Sequence, residues 1–387
     1  MELCLDAPTG ASAHICCVGI GWFPKTPGGL DRYVYELAHH LAAGRDRVEL
    51  CALDLPEAEP NSAVELINLA AAASPLALRL LSIRRSFLHK RAVKPDAINL
   101  HFALYNLPLL DILPEDVPIT FTFHGPWALE SQQEKASKLS VLLKYCLERR
   151  VYRSCDRFIV LSKAFGNILN QKYRVDESKI HVIPGGVDLA RFQPNLSRQQ
   201  ARAQLNWPQD RIILFTPRRL VQRMGLDKLL TAIAQIKPRI PDVWLAIAGL
   251  GPQQSALKQQ ATELGLNDQV RFLGFLPDDQ LPLAYQAADL SVMPSQNLEG
   301  FGLTLLESLA CGTPVLCTPV GGMPEVLAPF SPDLITSSHQ TAAIAERLEE
   351  LLTGQVQMPS RTACREYTCL HFDWHKIAQQ VRQVLLA

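Results

Sequence analysis

The sequence predicts an α/β protein of two domains, each built on a largely parallel sheet, with a cleft between them. Length is the first reason: at 387 residues the chain exceeds one ordinary domain and suits two of similar size. The second is a pattern that runs twice, in which short β-rich apolar runs alternate with helical-period segments, once before Pro194 and again after Pro208. The third is content, since 48% of residues are hydrophobic and 20% charged, ample for two buried cores.

The first half opens with residues 14–21, HICCVGIG, read as a buried strand. It runs into the loop WFPKTPGG and then a helix with Leu30, Val34, Leu37 and Leu41 on one face. Gly28 and Gly29 leave bare backbone N–H groups at the head of that helix, a setting that suits a phosphate. An ordinary tight turn uses the same two glycines, and spacing alone does not choose between the two. A dinucleotide fingerprint is not completed anywhere: Pro24 stands where Gly19 and Gly21 need a third glycine, and Gln254 does so after Gly249 and Gly251. Further strands are expected at 48–53, 97–102, 119–124 and 157–162. Parallel sheets bind ligands beyond the carboxyl ends of their strands, which is where His101, His124 and Ser162 fall. A lone histidine at such a place is more often a hydrogen-bonded structural residue than a reactive one.

Residues 75–94, PLALRLLSIRRSFLHKRAVK, carry six basic side chains and no acidic one. Leu76, Leu80, Ile83 and Phe87 share one helical stripe, most of which is expected to face a core. The basic excess suits either a solvated face or contact with anionic lipid or a diphosphate-linked acceptor. Residues 135–153 pose the same alternative. The segment 180–194, IHVIPGGVDLARFQP, reads as the last strand of the first half and the turn that leaves it. Beyond the proline-marked boundary at 194–208 the pattern restarts with a strand at 212–216 and a helix from Gly225. Then come a strand at 243–248, a helix through Leu257 and Leu264, and a strand at 270–273. The C-terminal HFDWHKIAQQVRQVL is a short apolar helix.

A formal net charge of +0 argues against a nucleic-acid binder that works by neutralising phosphates over a broad surface. Ten scattered cysteines, Cys16 and Cys17 adjacent and none in a Cys-x-x-Cys pair, suggest neither a zinc site nor a disulfide framework. That usage points to the reducing cytosol. No basic residue precedes Lys25 and glycines break the first apolar run, so no signal peptide is expected; no stretch is long and uncharged enough to span a bilayer.

The most informative stretch is 295–326, SQNLEGFGLTLLESLACGTPVLCTPVGGMPEV. Glu299 and Glu307 have seven residues between them, with Gly300 and Gly302 behind the first and an apolar helical run from Leu303 carrying the second. A helix that starts near Gly302 offers free N–H groups to a phosphate or a sugar hydroxyl. From its second turn Glu307 could accept two hydrogen bonds from a vicinal diol, such as a ribose presents, while Glu299 stays at the mouth. Upstream, TPRRLVQRMGLDKLL crowds Arg218, Arg219 and Arg223 at a strand end, and arginine grips phosphate in a fork without losing its charge. The turn AGLGP, with Gly251, and the backbone at Phe275 and Leu276 are candidates to flank a nucleotide. No Asp-x-Asp triplet or dense carboxylate cluster is present to hold magnesium, so no metal is expected.

Two glutamates so spaced, with Gly-Phe-Gly after the first and the small turn Ala310-Cys311-Gly312-Thr313-Pro314 after the second, resemble the signature of the retaining glycosyltransferases of family four. The resemblance covers nearly the whole chain and is most specific over 212–326. It implies two Rossmann-like domains facing a cleft in the GT-B arrangement. Residues 1–194 would bind the acceptor, 195–370 the nucleotide-sugar donor, and a helix at about 371–387 would return to the first domain. By the same resemblance His124 lies near the anomeric carbon and the incoming hydroxyl, and Glu299 orients donor-sugar hydroxyls. Gly28, Gly29, Arg218, Arg219, Arg223, Gly251, Leu276, Gly300, Phe301, Gly302, Leu303 and Glu307 would hold the donor. The family has a lysine where this chain has Met224, which leaves the second phosphate contact to Arg223 or Arg218.

The implied activity moves a hexose, UDP-glucose before GDP-mannose as donor, to a hydroxyl of a saccharide or lipid-linked acceptor in polysaccharide biosynthesis. It needs no cofactor and no nucleic acid, and places the enzyme in the cytoplasm or against the inner face of the plasma membrane through 75–94. Two other readings stay open: a catalytically silent sugar-nucleotide-binding scaffold, suggested by Met224, and a sugar-nucleotide epimerase. A paired-carboxylate hydrolase would leave the phosphate-binding groups without a task.

Overall fold

Strands buried on both faces read as near-continuous apolar runs, and HICCV is such a run, buried at every position. The computed structural model describes residues 12–387 except 24, 27, 58, 60, 61, 91 and 92. Residues 1–11 of the expected first domain, Pro24 of the fingerprint comparison, and Arg91 and Ala92 of the basic stretch therefore lie outside the described residues.

In the first half the order is β1 (His14–Val18), α1 (Gly29–Ala43), β2 (Arg47–Leu53), β3 (Val64–Ala70), α2 (Leu76–Lys90) and β4 (Ala97–Leu100). It continues with α3 (Ala103–Asn106), β5 (Ile119–Phe123), α4 (Trp127–Gln133), α5 (Lys138–Tyr152), β6 (Arg157–Val160), α6 (Lys163–Tyr173) and β7 (Ile180–Val182). The seven strands form one parallel sheet in the order β3-β2-β1-β4-β5-β6-β7.

The second half runs α7 (Arg198–Leu205), β8 (Ile212–Pro217), α8 (Leu226–Ile236), β9 (Val243–Ala248), α9 (Gln254–Glu263), β10 (Val270–Gly274), α10 (Leu281–Ala287) and β11 (Leu290–Met293). After it come α11 (Leu303–Ala310), β12 (Val315–Cys317), α12 (Met323–Leu327), α13 (Thr341–Leu352), α14 (Arg361–His371) and α15 (Trp374–Leu386). Its five strands are parallel, in the order β10-β9-β8-β11-β12. Both sheets reverse direction of winding next to their first strand, the arrangement that opens a crevice at the strand ends. The fold is thus the two Rossmann-like halves that the alternation predicted.

The strands that periodicity foretold are present, their ends within two residues except for β1, which stops at Val18, three short of the expected 21; β3 and β11 were not foretold. Strand β3 lies at the sheet edge and alternates buried Val64 and Ile67 with exposed Glu65 and Asn68, a weaker apolar signal than its neighbours give. Strand β11 has four residues, too few for a period to register.

The chain crosses between the halves twice, and the crossings lie side by side, with the Val187 N–H donating to the Phe372 carbonyl at 2.9 Å. Gly186 allows this, because a Cβ there would sit 2.5 Å from the Trp374 ring. Past the second crossing α15 packs on α1 and against β4, β5 and β6. It buries Trp374, Ile377, Val381 and Leu385, and Arg382 forks onto Asp46 at 2.7 and 3.0 Å. Helix α7 packs on α10 and α14 on α11.

Candidate active site

The loops that leave the carboxyl ends of both sheets enclose a cavity of about 660 Å³. Gly28 and Gly29 reach it from the start of α1, His124 from the end of β5, and Arg218, Arg219 and Arg223 from the loop after β8. Leu276 follows β10, while Glu299, Gly300, Phe301, Gly302, Leu303 and Glu307 come from the loop and helix after β11. The structure therefore gathers residues 279 positions apart in sequence, Gly28 and Glu307, around one space.

Gly251 is the exception among the residues assigned to hold the donor. It does not line the cavity but packs on the Leu220 backbone, where a Cβ would lie 2.4 Å from the carbonyl oxygen. Gly249 lines the cavity instead, at φ +138°, with a Cβ position 2.0 Å from the Arg218 carbonyl oxygen that only glycine tolerates.

Both helix starts that point into the cavity are uncapped by side chains. Gly28 precedes α1 and Gly302, at φ 88°, precedes α11. Their first N–H groups have no partner within the helix, so each start carries partial positive charge. The Gly21 N–H donates to Asp31 at 2.9 Å and so ties the loop after β1 back to α1. Burial raises the Asp31 carboxyl above its usual range, and that hydrogen bond partly offsets the effect.

Glu307 is buried, and both of its oxygens are engaged. Oε2 accepts from the Tyr285 hydroxyl at 2.8 Å, and Oε1 accepts from Arg32 of the first half. Arg32 also bridges to Asp278 at 2.7 Å and lies over the Phe23 ring. The two places that the sequence reading reserved for a diol are held here by protein groups. Nothing in the sequence marks Arg32, three residues past the glycine pair that drew attention, because its partner is 275 positions away.

Glu299 accepts from Arg218 at 2.8 Å and from the Ser295 hydroxyl at 3.1 Å. Arg218 is itself buried and also donates to Ser295 at 2.6 Å. Its charge is thus spent largely on Glu299. Arg223, equally buried, donates to the Leu298 carbonyl at 3.1 Å and lies 3.5 Å from Glu130. Arg219 is exposed, lines the cavity and makes no side-chain hydrogen bond or ion pair with the described residues. Met224 is buried at the cavity wall, its sulfur 3.9 Å from the Ser295 hydroxyl.

His124 lies across the cavity from these groups, its Nε2 3.0 Å from Nδ1 of His101. Burial lowers the His124 pKa to about 3 and holds His101 well below the usual range, so both rings are neutral. Ser162, at the end of β6, caps α6 and donates to the Gly300 carbonyl at 2.6 Å. Glu325 reaches over from α12 to accept from the Lys163 and Ala164 N–H groups at 2.8 and 2.9 Å, an anion on a helix start supplied by the other half. Among the described residues no cluster of His, Cys, Asp or Glu could hold a metal ion, and no helix is long and apolar enough to cross a membrane.

Two parallel α/β halves close helix starts, an arginine without a partner among the described residues and paired carboxylates around one cavity, an arrangement that can grip a phosphorylated ligand between domains. The chain belongs to the group 1, family 4 glycosyltransferases. Residues 197–369 match the model of "Glycosyl transferases group 1" and residues 27–191 that of "Glycosyltransferase Family 4". A D-inositol 3-phosphate glycosyltransferase of Salinispora tropica is 30% identical over 92% of this chain and 80% of its own. Among solved structures, sucrose-phosphate synthase of Thermosynechococcus elongatus superposes with a TM-score of 0.80 at 25% identity, over 96% of this chain and 97% of that one. Anabaena HepE, solved in complex with UDP-glucose, shares the fold with a TM-score of 0.73 at 21% identity, over 96% and 98%.

Proposed function

We propose that this glycosyltransferase moves a hexose, with retention of anomeric configuration, from a nucleotide-diphosphate sugar to a hydroxyl of a saccharide or lipid-linked acceptor. The observation that carries the reading is the shared cavity of His124, Arg219, Glu299 and the two uncapped helix starts. As the glycosidic bond breaks, negative charge grows on the departing diphosphate. The N–H groups after Gly28 and Gly302 are fixed donors for that charge and Arg219 adds a mobile cation, so the residues present suffice without a metal. Arg223 is the better substitute for the family lysine, since Arg218 is committed to Glu299 and Ser295.

In this reading the acceptor hydroxyl attacks on the leaving-group face and its proton passes to a phosphate oxygen. Glu299, held by Arg218 and Ser295, orients sugar hydroxyls. Glu307 takes the ribose diol once Arg32 gives way, and Leu276 flanks the base. The acceptor domain comprises 1–194 with 371–387, and the donor domain 195–370, a division supported by α15 packing on α1 and α7 on α10. UDP-glucose is the favoured donor, and an acceptor in polysaccharide biosynthesis the favoured class.

The protein works in the cytoplasm, against a membrane surface. Support for that contact comes from Leu78, Leu81 and Leu88 on α2, and from Leu139, Leu142 and Leu143 on α5, all exposed beside Arg85, Lys138 and Arg150. Apolar residues on the outer as well as the inner face of a helix call for a second partner, and basic neighbours select an anionic one.

One observation favours a second reading. Met224 puts an apolar side chain where the family has a lysine, as a silent nucleotide-binding scaffold would tolerate. Incubation with a panel of nucleotide sugars, read by thermal shift and by slow donor hydrolysis, separates the two. Turnover that is lost in Glu299→Ala supports the transferase, whereas a thermal shift without turnover of any donor supports the scaffold.

A further inference from the structure

Behind His124 stands a second histidine whose placement has no use in the scheme above. His101 follows β4, and its backbone N–H is tied to the Val18 carbonyl at 3.0 Å, so the residue is fixed to the centre of the sheet. The residue is 2% exposed, and its ring lies at 28° to that of His124 with centroids 5.3 Å apart. Tyr33 of α1 packs edge-on against His124 with ring centroids 4.9 Å apart, and Trp374 of α15 backs Tyr33 at 5.1 Å. The His124 ring is therefore held between His101 and Tyr33, with Trp374 of the returning helix behind Tyr33, and its orientation is set before any ligand arrives.

One proton lies between His101 Nδ1 and His124 Nε2, because both rings are neutral and only one of the facing nitrogens can donate. Its owner follows from the far side of His101. There Nε2 is buried, and no described residue reaches it. If His124 donated, His101 would carry its own proton on that nitrogen and bury an N–H without an acceptor. If His101 donates, only a lone pair is left there, and a buried orphan acceptor is the more readily tolerated of the two. In that second arrangement His124 must carry its proton on Nδ1, which has no hydrogen-bond partner among the described residues and belongs to a ring that lines the cavity.

The geometry points to His101 as a positioning residue that fixes the tautomer of His124, so that His124 presents an N–H donor, not a base, to an oxygen of the sugar or acceptor in the cleft. This rests on the reading of His124 as a cleft residue of the transferase. It fits that reading's chemistry, in which the acceptor proton goes to the departing phosphate and no side-chain base is required.

Full-length protein carrying isotope-labelled histidine, examined by ring-nitrogen NMR, tests the assignment directly. The expected spectrum has His124 protonated on Nδ1 and unprotonated on Nε2. The reverse tautomer, or an imidazolium, overturns the proposal. Kinetics give a second test on soluble, folded variants. His101→Asn keeps an amide donor near the place of Nδ1, whereas His101→Phe removes it. His101→Phe is expected to lower kcat by about tenfold or more at little-changed donor KM, with His101→Asn restoring most of it. Equal losses in the two variants, or losses confined to KM, overturn the proposal in favour of a packing role. If instead His124→Ala itself turns over normally, the reading of His124 has failed, whatever the NMR shows.

Discussion

Arg32, three residues into the first helix, reaches out of its own domain to the carboxylate of Glu307, which Tyr285 holds from the other side at 2.8 Å. A partly buried ion pair across a cleft is a closure contact and an occupant of the ligand's place at once. Breaking it by removing one partner strands the other's charge.

Arg32→Met and Glu307→Gln are each expected to cost about 2–4 kcal/mol of stability, and the double variant less than the sum. Urea unfolding of the four proteins measures the coupling, and strict additivity would mean that the pair contributes nothing. Arg32→Met is also expected to bind UDP more tightly, with no such gain for 2′,3′-dideoxyuridine diphosphate. A gain for both nucleotides, read by calorimetry, would show that Glu307 does not take the diol.

The free cation at Arg219 should dominate the grip on the diphosphate. Arg219→Ala is expected to lower kcat/KM by about a hundredfold, near 3 kcal/mol, without altering the melting temperature. Met224→Lys should raise nucleotide affinity by restoring a second cation at the wall. An unchanged dissociation constant for UDP in both variants would move the phosphate site elsewhere.

His101 and His124 make stability depend on pH in a defined direction. Burial lowers both pKa values, so below about pH 6.5 the unfolded chain takes up protons that the native rings refuse. Native stability therefore falls as pH drops, by about 2 kcal/mol at pH 5 for His124, with His101 contributing in the same direction. His101→Asn removes one of these groups and should flatten the slope between pH 7 and pH 5. Denaturant titrations at the two pH values decide it, and a slope that matches the parent's would mean that His101 is charged in the native state.

Trp374 fixes the returning helix over the second crossing and backs the Tyr33–His124 contact. Trp374→Ala is expected to cost about 3–5 kcal/mol and to lower activity below the parent's even at temperatures where the variant is folded. Full activity of the folded variant would separate the helix from the site.

The leucines on α2 and α5 should carry the protein to anionic vesicles. Co-sedimentation is expected with phosphatidylglycerol vesicles and not with phosphatidylcholine alone, and Leu81→Gln with Leu142→Gln should reduce it severalfold. Equal pelleting with both lipids, or an unaltered double variant, would count against a seated membrane face.

The sequence by itself determined the two parallel α/β halves and the loop of Glu299 to Glu307, because periodicity and spacing within a contiguous stretch report what one strand, helix or turn must bury or expose. It also put His101, His124 and Ser162 at strand ends, where such sheets hold their ligands. Which of those residues bond to which was decided only by the tertiary structure. Arg32 meets Glu307 across 275 positions, Ser162 meets Gly300 across 138, and Arg382 meets Asp46 across 336. Gly251 fell outside the cavity and Gly249 inside it for a similar reason, since two glycines in one turn look alike until the backbone that crosses them is in place. A charge or a bare backbone acquires its partner when two distant segments pack, and no local period records that meeting.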